Sequence, residues 1–492
     1  MTLSINTNFS GFTSNTTQLR NEVNQAMARL STGKKINNSG DSAVATAQIA
    51  TIRSQVTGLS ASIGSVGNAS SLLLTAEAGL DEILGVLQTM KSLALNASSS
   101  LTSDAQRVTA NSEASQLVSE IARIATSTLY NGNDLLDGTF SSKALQIGPT
   151  SAESMSITIA SANTSGLGSY VISGTTRDAM AAATSATANN TSASEDITIT
   201  VNSVATAIAA TANESAKDTA VKINAVTTAT GVTAKARTYA LLASANGSSE
   251  NYSIKVNGTA TSTFAISNTS VSAAVTAINA ITATTGVVAT STGDFKVLLS
   301  DETGADITIE NESSGVNLTV QAVKYDGTTT QGSAVSLQAD DSNDATRIIG
   351  TLRLISDSAF SVTQAGTANQ AYLATGSAAQ NNLTTIDLTT ANKAKNSLEL
   401  IESALNQVST ERANIGGALS RLESSINFLT RMREQKSLSI SHLEDADISL
   451  ESARLAKATM LQKANAAILA QANSDKDLIL SIIRSAAPGV WH

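Results

Sequence analysis

Apolar residues recur in alternating steps of three and four through both ends of this chain. The first series runs from Ile49 to Ala94, and the second from Leu398 to Leu429. This spacing keeps one apolar stripe along one side of a helix, and the stripe is buried only when another helix packs against it. The pattern predicts long helices over residues 6–32, 42–97, 103–128 and 389–484.

The last of these predicted helices contains two candidate interruptions. The glycine pair Gly416 and Gly417 disfavours a helix most strongly, and the serine-rich segment 437–441 does so more weakly. Beyond them the apolar stripe is narrow, and it consists of Leu455, Ala456, Met460, Ala464 and Ile468. Such a stripe offsets little of an ordering cost of roughly 1–2 kcal/mol per residue. We therefore expect both chain ends to fold only when neighbouring copies complete their core.

The middle of the chain, from about residue 145 to residue 386, follows a different period. Short segments such as Ile197–Val201 and Tyr252–Val256 alternate β-branched and polar residues, which is typical of half-buried strands. Glycine and asparagine separate these segments. The expected fold class is therefore α+β, with a long helical coiled-coil stem formed by both chain termini and one or more β-rich outer domains inserted between them.

The β-rich middle also contains an internal repeat. Three short motifs recur at one common offset of 55 residues, and they begin at Val201 and Val256, at Ile223 and Ile278, and at Thr230 and Thr285. The second motif reads Ile-Asn-Ala in both copies. Because three separate motifs keep one offset, we interpret the region as two duplicated modules.

Composition excludes several classes of function. The chain has no cysteine and only two histidines, His442 and His492, so we expect no metal site, no cofactor, no catalytic residues and no enzyme activity. A net charge of −9 without a basic cluster argues against nucleic-acid binding. No segment is long and apolar enough to cross a membrane, and residues 1–12 lack the pattern of a cleavable signal peptide.

Several blocks in order resemble the bacterial flagellins. Leu30–Asn37, followed by Asp41, is similar to the N-terminal signature of that family. Arg412–Gly417 is similar to its C-terminal region, and Ile468–Asn473 to its terminal helix. The repeated Ile-Asn units resemble the repeat named for those residues in flagellin outer domains. Together these blocks cover both ends of the chain and part of the middle.

The resemblance implies a secreted, extracellular structural subunit that polymerises with copies of itself into the bacterial flagellar filament, for motility. It also implies export by the flagellar type III apparatus with an export chaperone, and contacts with the filament cap and hook-junction proteins. Thr89 and Ser92 replace an Arg and a Glu that immune recognition favours in many members. Detection by the flagellin-sensing Toll-like receptor is therefore not expected.

The resemblance further implies a division of the chain into layers. The expected segments are an inner helix at 1–40, a helical stem at 41–145, a variable β-rich outer region at 146–388, a second stem segment at 389–449, and an inner helix with a tail at 450–492. Residues in the matched blocks and stripes are predicted to pack the stem or join subunits. They are Leu30, Ile36, Ile49, Ile52, Val56, Leu59, Glu120, Arg123, Arg412, Leu419, Leu422, Ile426, Leu455 and Ile468.

Two other functions remain open from the sequence. A hook–filament junction protein would share both chain ends, although the duplicated Ile-Asn modules favour a filament subunit. A secreted adhesin would use the β-rich middle to bind host glycans or surfaces, with the helices as an anchor. A hydrolase hidden in the middle is disfavoured, because His442 and His492 do not support an ordinary catalytic triad.

Overall fold

The computed structural model describes residues 6–99, 101–148, 153–247, 249–339, 342–365 and 371–486, so that residues 1–5, Ser100 and His492 lie outside the described part. Five long helices come from the two chain ends: α1 (Asn6–Thr32), α2 (Ala43–Ser98), α3 (Asp104–Ser127), α8 (Ala391–Glu444) and α9 (Ile448–Ala486). Four short helices lie in the middle: α4 (Ala216–Ala225), α5 (Thr227–Thr230), α6 (Ser272–Asn279) and α7 (Thr282–Thr285).

All strands of the described residues lie between α3 and α8. They are β1 (Leu129–Tyr130), β2 (Asn133–Asp134), β3 (Lys143–Gln146), β4 (Ser154–Ile157), β5 (Gly168–Ser173), β6 (Ile197–Val201), β7 (Val204–Ile208), β8 (Val232–Ser244), β9 (Glu250–Tyr252), β10 (Ile254–Val256), β11 (Thr259–Ala260), β12 (Phe264–Ile266), β13 (Val288–Ser291), β14 (Val297–Asp301), β15 (Ile307–Asn311), β16 (Leu318–Val323), β17 (Thr330–Leu337), β18 (Ala345–Ile348), β19 (Thr351–Ser356), β20 (Phe360–Gln364), β21 (Gly376–Ser377) and β22 (Ala379–Asn382). The expected α+β fold, with long terminal helices and a β-rich middle, is confirmed.

Helix α8 departs from the sequence prediction. It passes through Gly416 and Gly417 without interruption and ends at Glu444, beyond the serine-rich segment. Two helical glycines cost about 2 kcal/mol relative to alanine, whereas burying neighbours such as Ile415 and Leu422 contributes about 1.5–3 kcal/mol each. Packing therefore outweighs local propensity at the glycine pair.

The break between α8 and α9 has a local cause. The carboxylate of Asp447 accepts a hydrogen bond from the Leu450 amide at 3.0 Å, so Asp447 caps the N-terminus of α9. The amide of Ala446 donates to the carbonyl of Gly33 at 2.9 Å, which ties this break to the loop after α1.

The chain divides into two compact units. The first draws its described residues from 1–72, 142–157 and 417–492, and within it α1 packs along α9. The second draws its described residues from 73–141 and 158–416. It contains a three-helix stem and most of the β structure.

The stem of the second unit contains a buried apolar seam. One stripe of α2 is fully buried against α3 and α8, and it consists of Leu73, Ala76, Leu80, Ile83, Leu87, Met90 and Ala94. These are the positions of the three-four series in the sequence. The seam also takes in Ile121 from α3 and Ile401 and Val408 from α8.

Strand β8 organises the β structure of the second unit. Its first half pairs with β19, and its second half lies between β14 and β16, all antiparallel. Val232, Ala234 and Ala236 face one apolar core together with the first repeat, whereas Ala240 and Leu242 face another core together with the second repeat. Each repeat therefore builds its own core against a different half of one strand.

The two repeats close with the same hydrogen bonds. The side-chain amide of Asn224 donates to the carbonyl of Ala234 at 2.9 Å and accepts from the Ala234 amide at 2.8 Å. Asn279 makes the corresponding bonds to Ala289 at 3.0 and 2.7 Å. The asparagine of each Ile-Asn unit thus ties the end of a helix to the following strand.

The hairpins that open the two repeats differ at one position. Asn202-Ser203 connects β6 to β7 with φ angles of 48° and 66°, and Asn257-Gly258 connects β10 to β11 with φ angles of 49° and 78°. Two left-handed residues in a two-residue loop form the turn that suits a twisted hairpin, and glycine is favoured at the second position. The first repeat therefore carries backbone strain at Ser203 that the second avoids.

Exchanging these two residues is expected to change stability in opposite directions. Ser203→Gly is expected to raise the free energy of unfolding by about 0.5–1 kcal/mol, because glycine adopts a positive φ without steric cost. Gly258→Ser is expected to lower it by a similar amount, since open space around Gly258 leaves only the backbone strain. Chemical denaturation of the monomer measures both, and shifts of equal sign would contradict the explanation.

Candidate functional site

The pairing of α1 with α9 in the first unit is thin. Helix α1 buries Leu19, Val23 and Ala26. Among the side chains of α9 that the structure describes, the buried ones are Glu451, Ala458 and Asn465, which recur every seven residues and are small or polar. Such an interface removes little apolar surface from water, so the contact contributes little to stability.

Helix α9 carries a second apolar face that stays exposed. Met460, Leu461, Ile468, Leu478 and Ile482 are 46–68% exposed. At 100° per residue Met460, Leu478 and Ile482 lie about 120–160° away from the row of Glu451, Ala458 and Asn465, whereas Leu461 and Ile468 flank that row at about 60–80°. An amphipathic helix ordinarily has one apolar face, and a second one marks an interaction surface.

The sequence analysis placed the apolar stripe of α9 at Leu455, Met460 and Ile468. Leu455 is half-buried, but Met460 and Ile468 lie on the exposed face. The expected stripe is therefore mostly the face that the described part of the chain does not cover. The face that packs on α1 is more polar, so hydrophobicity alone did not identify it.

Ion pairs hold the loop after α1 against the end of α8. The buried carboxylate of Glu444 accepts from Lys34 Nζ at 2.7 Å and from Arg53 at 2.6 Å. Burial of Glu444 favours its neutral form, but the hydrogen bonds from Lys34 and Arg53 outweigh burial and hold its pKa below the ordinary value of 4.5. Glu444 was not among the residues predicted from the sequence.

A second carboxylate, Glu451, joins α1 to α9. It accepts from Arg29 at 3.3 Å and from Arg454 at 2.9 Å, and it is itself buried. Together with Glu444 it supplies the specific polar contacts that the thin apolar pairing lacks.

Removing the charge of Glu444 is expected to weaken the first unit. Glu444→Gln is expected to lower the free energy of unfolding by about 1 kcal/mol at neutral pH, because Lys34 and Arg53 are partly exposed. Since the pKa of Glu444 is lowered by folding, this contribution is present above pH 4.5 and is lost as the pH falls through the lowered pKa.

Urea unfolding across this pH range provides the measurement. The control is Glu423→Gln, an exposed position of the same helix that should change nothing. A difference between wild type and Glu444→Gln that persists unchanged in acid would contradict the ionic explanation.

Charged residues of the stem in the second unit pair with one another. Arg412 of α8 contacts Asp81 of α2 at 2.8 Å and Glu77 at 3.8 Å. Arg123, predicted to bridge helices or subunits or to pair within the chain, pairs with Glu120 of its own helix. That hydrogen bond lowers the pKa of Glu120 and raises the pKa of Arg123.

A buried ionic cluster attaches the β structure to α8 within the second unit. Glu399 of α8 contacts Lys235 at 3.3 Å and Arg237 at 3.2 Å, both from β8, and Arg353 of β19 at 3.3 Å. Arg237 also pairs with Glu302 at 3.0 Å. The buried carboxylate of Glu399 thus pairs with three cations. Glu399 was not among the residues predicted from the sequence.

The other predicted residues fall into three groups by exposure. Ile36, Ile49, Leu59 and Leu422 are buried, whereas Arg123 and Ile468 are exposed. The half-buried residues are Leu30, Ile52, Val56, Glu120, Arg412, Leu419, Ile426 and Leu455.

Searches of the described residues for two other kinds of site gave no candidate. Histidine, aspartate and glutamate side chains there form no group of three that could hold a metal ion. The helices of the same residues include none with the length and apolarity needed to span a membrane.

The structure defines a class of protein: a helical protein whose two chain ends pair with each other through α1 and α9, with a β-rich region inserted between them. Comparison with known families identifies the member of that class. The bacterial flagellin N-terminal helical region matches residues 4–141, and the bacterial flagellin C-terminal helical region matches residues 398–483. The chain belongs to the bacterial flagellins.

Individual relatives agree with this assignment over the whole chain. The B-type flagellin of Pseudomonas aeruginosa is 28% identical over 490 residues, which cover 98% of this chain and all of that protein. Flagellin C of Vibrio cholerae is 24% identical over 486 residues, with the same shares covered. A hook-associated protein-3 structure from Legionella pneumophila covers 80% of this chain and 98% of its own at 11% identity, with a TM-score of 0.35 that is too low to support any argument.

Membership of this family settles the general role of the chain. It is a structural subunit of the bacterial flagellar filament, it polymerises with copies of itself, and its location is extracellular.

Proposed function

We propose that neighbouring copies of the chain cover the exposed apolar face of α9 when the filament forms. The observation that carries this proposal is the set of apolar side chains of α9 that are more than half exposed in the single chain, among them Met460, Ile468 and Leu478. Burying each such side chain contributes about 1.5–3 kcal/mol. A few of them therefore outweigh the small contact between α1 and α9.

The layered arrangement belongs to the same proposal. Residues 1–40 and 450–492 form the inner layer, residues 41–145 and 389–449 form the next, and 146–388 project outward as surface domains. The break after Glu444 and the ion pair of Lys34 with Glu444 support boundaries near residues 40 and 450, because α1 gives way to α2 and α8 gives way to α9 close to these positions.

Export and assembly partners complete the proposal. The chain travels through the flagellar type III apparatus with an export chaperone, and it meets the cap and hook-junction proteins at the ends of the filament. It acts without catalysis. The thin pairing of α1 with α9 supports transport before the ends fold, since little stability has to be lost. Thr89 and Ser92 are exposed and take the place of the Arg and Glu that immune recognition favours. Recognition by the flagellin-sensing Toll-like receptor is therefore not part of the proposed function.

Electron microscopy and circular dichroism of the purified full-length protein test the proposal together. Long uniform filaments, with a higher helix content than the dilute monomer, are the expected result. Short rings or caps would favour the hook–filament junction protein. Equal helix content in monomer and filament would contradict folding on assembly, and the absence of any polymer would favour the adhesin.

A further inference from the structure

A polar cavity of about 310 Å³ lies in the second unit between the end of β5, β19 and the start of α8. Its volume is at the lower end of the range for small-molecule sites, about 300–1,000 Å³. The side chains that line it include Ser173, Tyr325, Arg353, Asn381, Asn396 and Ser397. Hydroxyl, amide and guanidinium groups thus make up most of its wall.

Two buried side chains of this cavity have unused hydrogen-bonding capacity. The hydroxyl of Tyr325 and Nε of Arg353 have no hydrogen-bond partner among the described residues, and each residue is only 6% exposed. Burial raises the pKa of Tyr325, so its phenol is neutral and can donate. A buried donor without an acceptor is destabilising, and a bound acceptor would relieve that cost.

The charged groups of the cavity wall balance one another. Arg353 and Lys393 are its cations, and Asp326 and Asp387 are its carboxylates. Both carboxylates are already occupied: Asp326 accepts from Thr328 and Thr329, and Asp387 accepts from Thr389 and Lys393. The cavity therefore has two unused donors, while its own carboxylates are engaged.

We propose that this cavity binds the carboxylate of an acidic monosaccharide. Tyr325 and Arg353 donate to the carboxylate, and the surrounding amide and hydroxyl groups, such as Asn381, Asn396 and Ser397, match sugar hydroxyls. The site does not include α9, whose exposed apolar side chains carry the proposed assembly, so it adds a binding activity to the structural role of the filament. A free sugar and the acidic end of a glycan share this chemistry.

Calorimetric titration of the full-length monomer with D-glucuronate and D-glucose provides the test, because the two sugars differ in the carboxylate. Glucuronate is expected to bind at least tenfold more tightly than glucose. Tyr325→Phe and Arg353→Lys are each expected to weaken glucuronate binding about tenfold or more, the usual worth of one hydrogen bond to a charged group. Tyr325→Phe keeps the ring, and Arg353→Lys keeps the charge beside Glu399.

Tyr252→Phe is the matched control. Tyr252 is also buried, but its hydroxyl bonds to Ser244 at 2.8 Å and Glu250 at 3.0 Å in the other core. Its removal should leave the sugar affinity unchanged. Titration of a glucuronate-terminated oligosaccharide separates a glycan-binding site, which binds it equally well, from a free-sugar site, which excludes it.

Several results would overturn the proposal. The proposal is wrong if glucose and glucuronate bind equally, if glucuronate does not bind, or if Tyr325→Phe keeps full affinity. In each case the unused donors would be hydrogen-bonded to water and not to a sugar carboxylate. Tight binding of inorganic sulfate without binding of glucuronate would show that the cavity binds an anion and not a sugar. None of these outcomes depends on polymerisation, so a failure of the sugar-binding proposal would leave the filament function untouched.

Discussion

Glu399→Gln is expected to lower the free energy of unfolding of the second unit by about 3–5 kcal/mol. The substitution leaves Arg353 buried without its counter-charge and leaves Arg237 with Glu302 alone, and a buried charge that loses its partner is strongly destabilising. Chemical denaturation of the monomer, followed by far-ultraviolet circular dichroism, measures the loss.

The control for this prediction lies one turn further along the same helix. Glu402 pairs with Lys91 at 3.1 Å, and both side chains are more than two-fifths exposed. Glu402→Gln is therefore expected to cost less than 1 kcal/mol. Similar losses for the two variants would show that Glu399 does not hold the β structure to α8.

A double substitution on α9, Met460→Lys with Ile468→Lys, is expected to abolish filament formation while leaving the monomer folded. Each residue is at least half exposed in the single chain, so the change costs the monomer little. In the filament it removes about 3–6 kcal/mol of apolar burial, which is a factor of one hundred or more in association. Sedimentation and electron microscopy measure the polymer.

Lys463→Glu is the matched control for that variant. Lys463 is exposed on α9 but lies outside the apolar face, so filaments should form as in the wild type. Normal polymerisation of the double variant would show that the exposed face of α9 is not covered by other copies.

The boundaries of α1, α2 and α3 could be predicted from the sequence because they depend on local signals, whereas the break between α8 and α9 was not predicted. Helix α1 has the predicted bounds, and α3 begins after Ser103, which forms a reciprocal pair of capping hydrogen bonds with Gln106. The seam of α2 follows the three-four series residue by residue. These features require only neighbours within a turn or two along the chain.

The ionic contacts could not be predicted in the same way, because their partners are far apart in sequence. Glu399 and Arg237 are separated by 162 positions, and Glu444 and Arg53 by 391. A charged residue on a helix ordinarily faces solvent, and the pattern alone does not distinguish a buried exception. The two faces of α9 present the same difficulty: the sequence contains both, but does not say which one its own α1 occupies.

The duplicated modules bear on how this chain can change over generations. Each copy closes its own helix with an asparagine and fills its own core against one half of β8. Each module can therefore diverge in its own core without rewriting the other module or the helices at the chain ends. The β-rich region would then vary module by module, while the two ends of the chain stay the same.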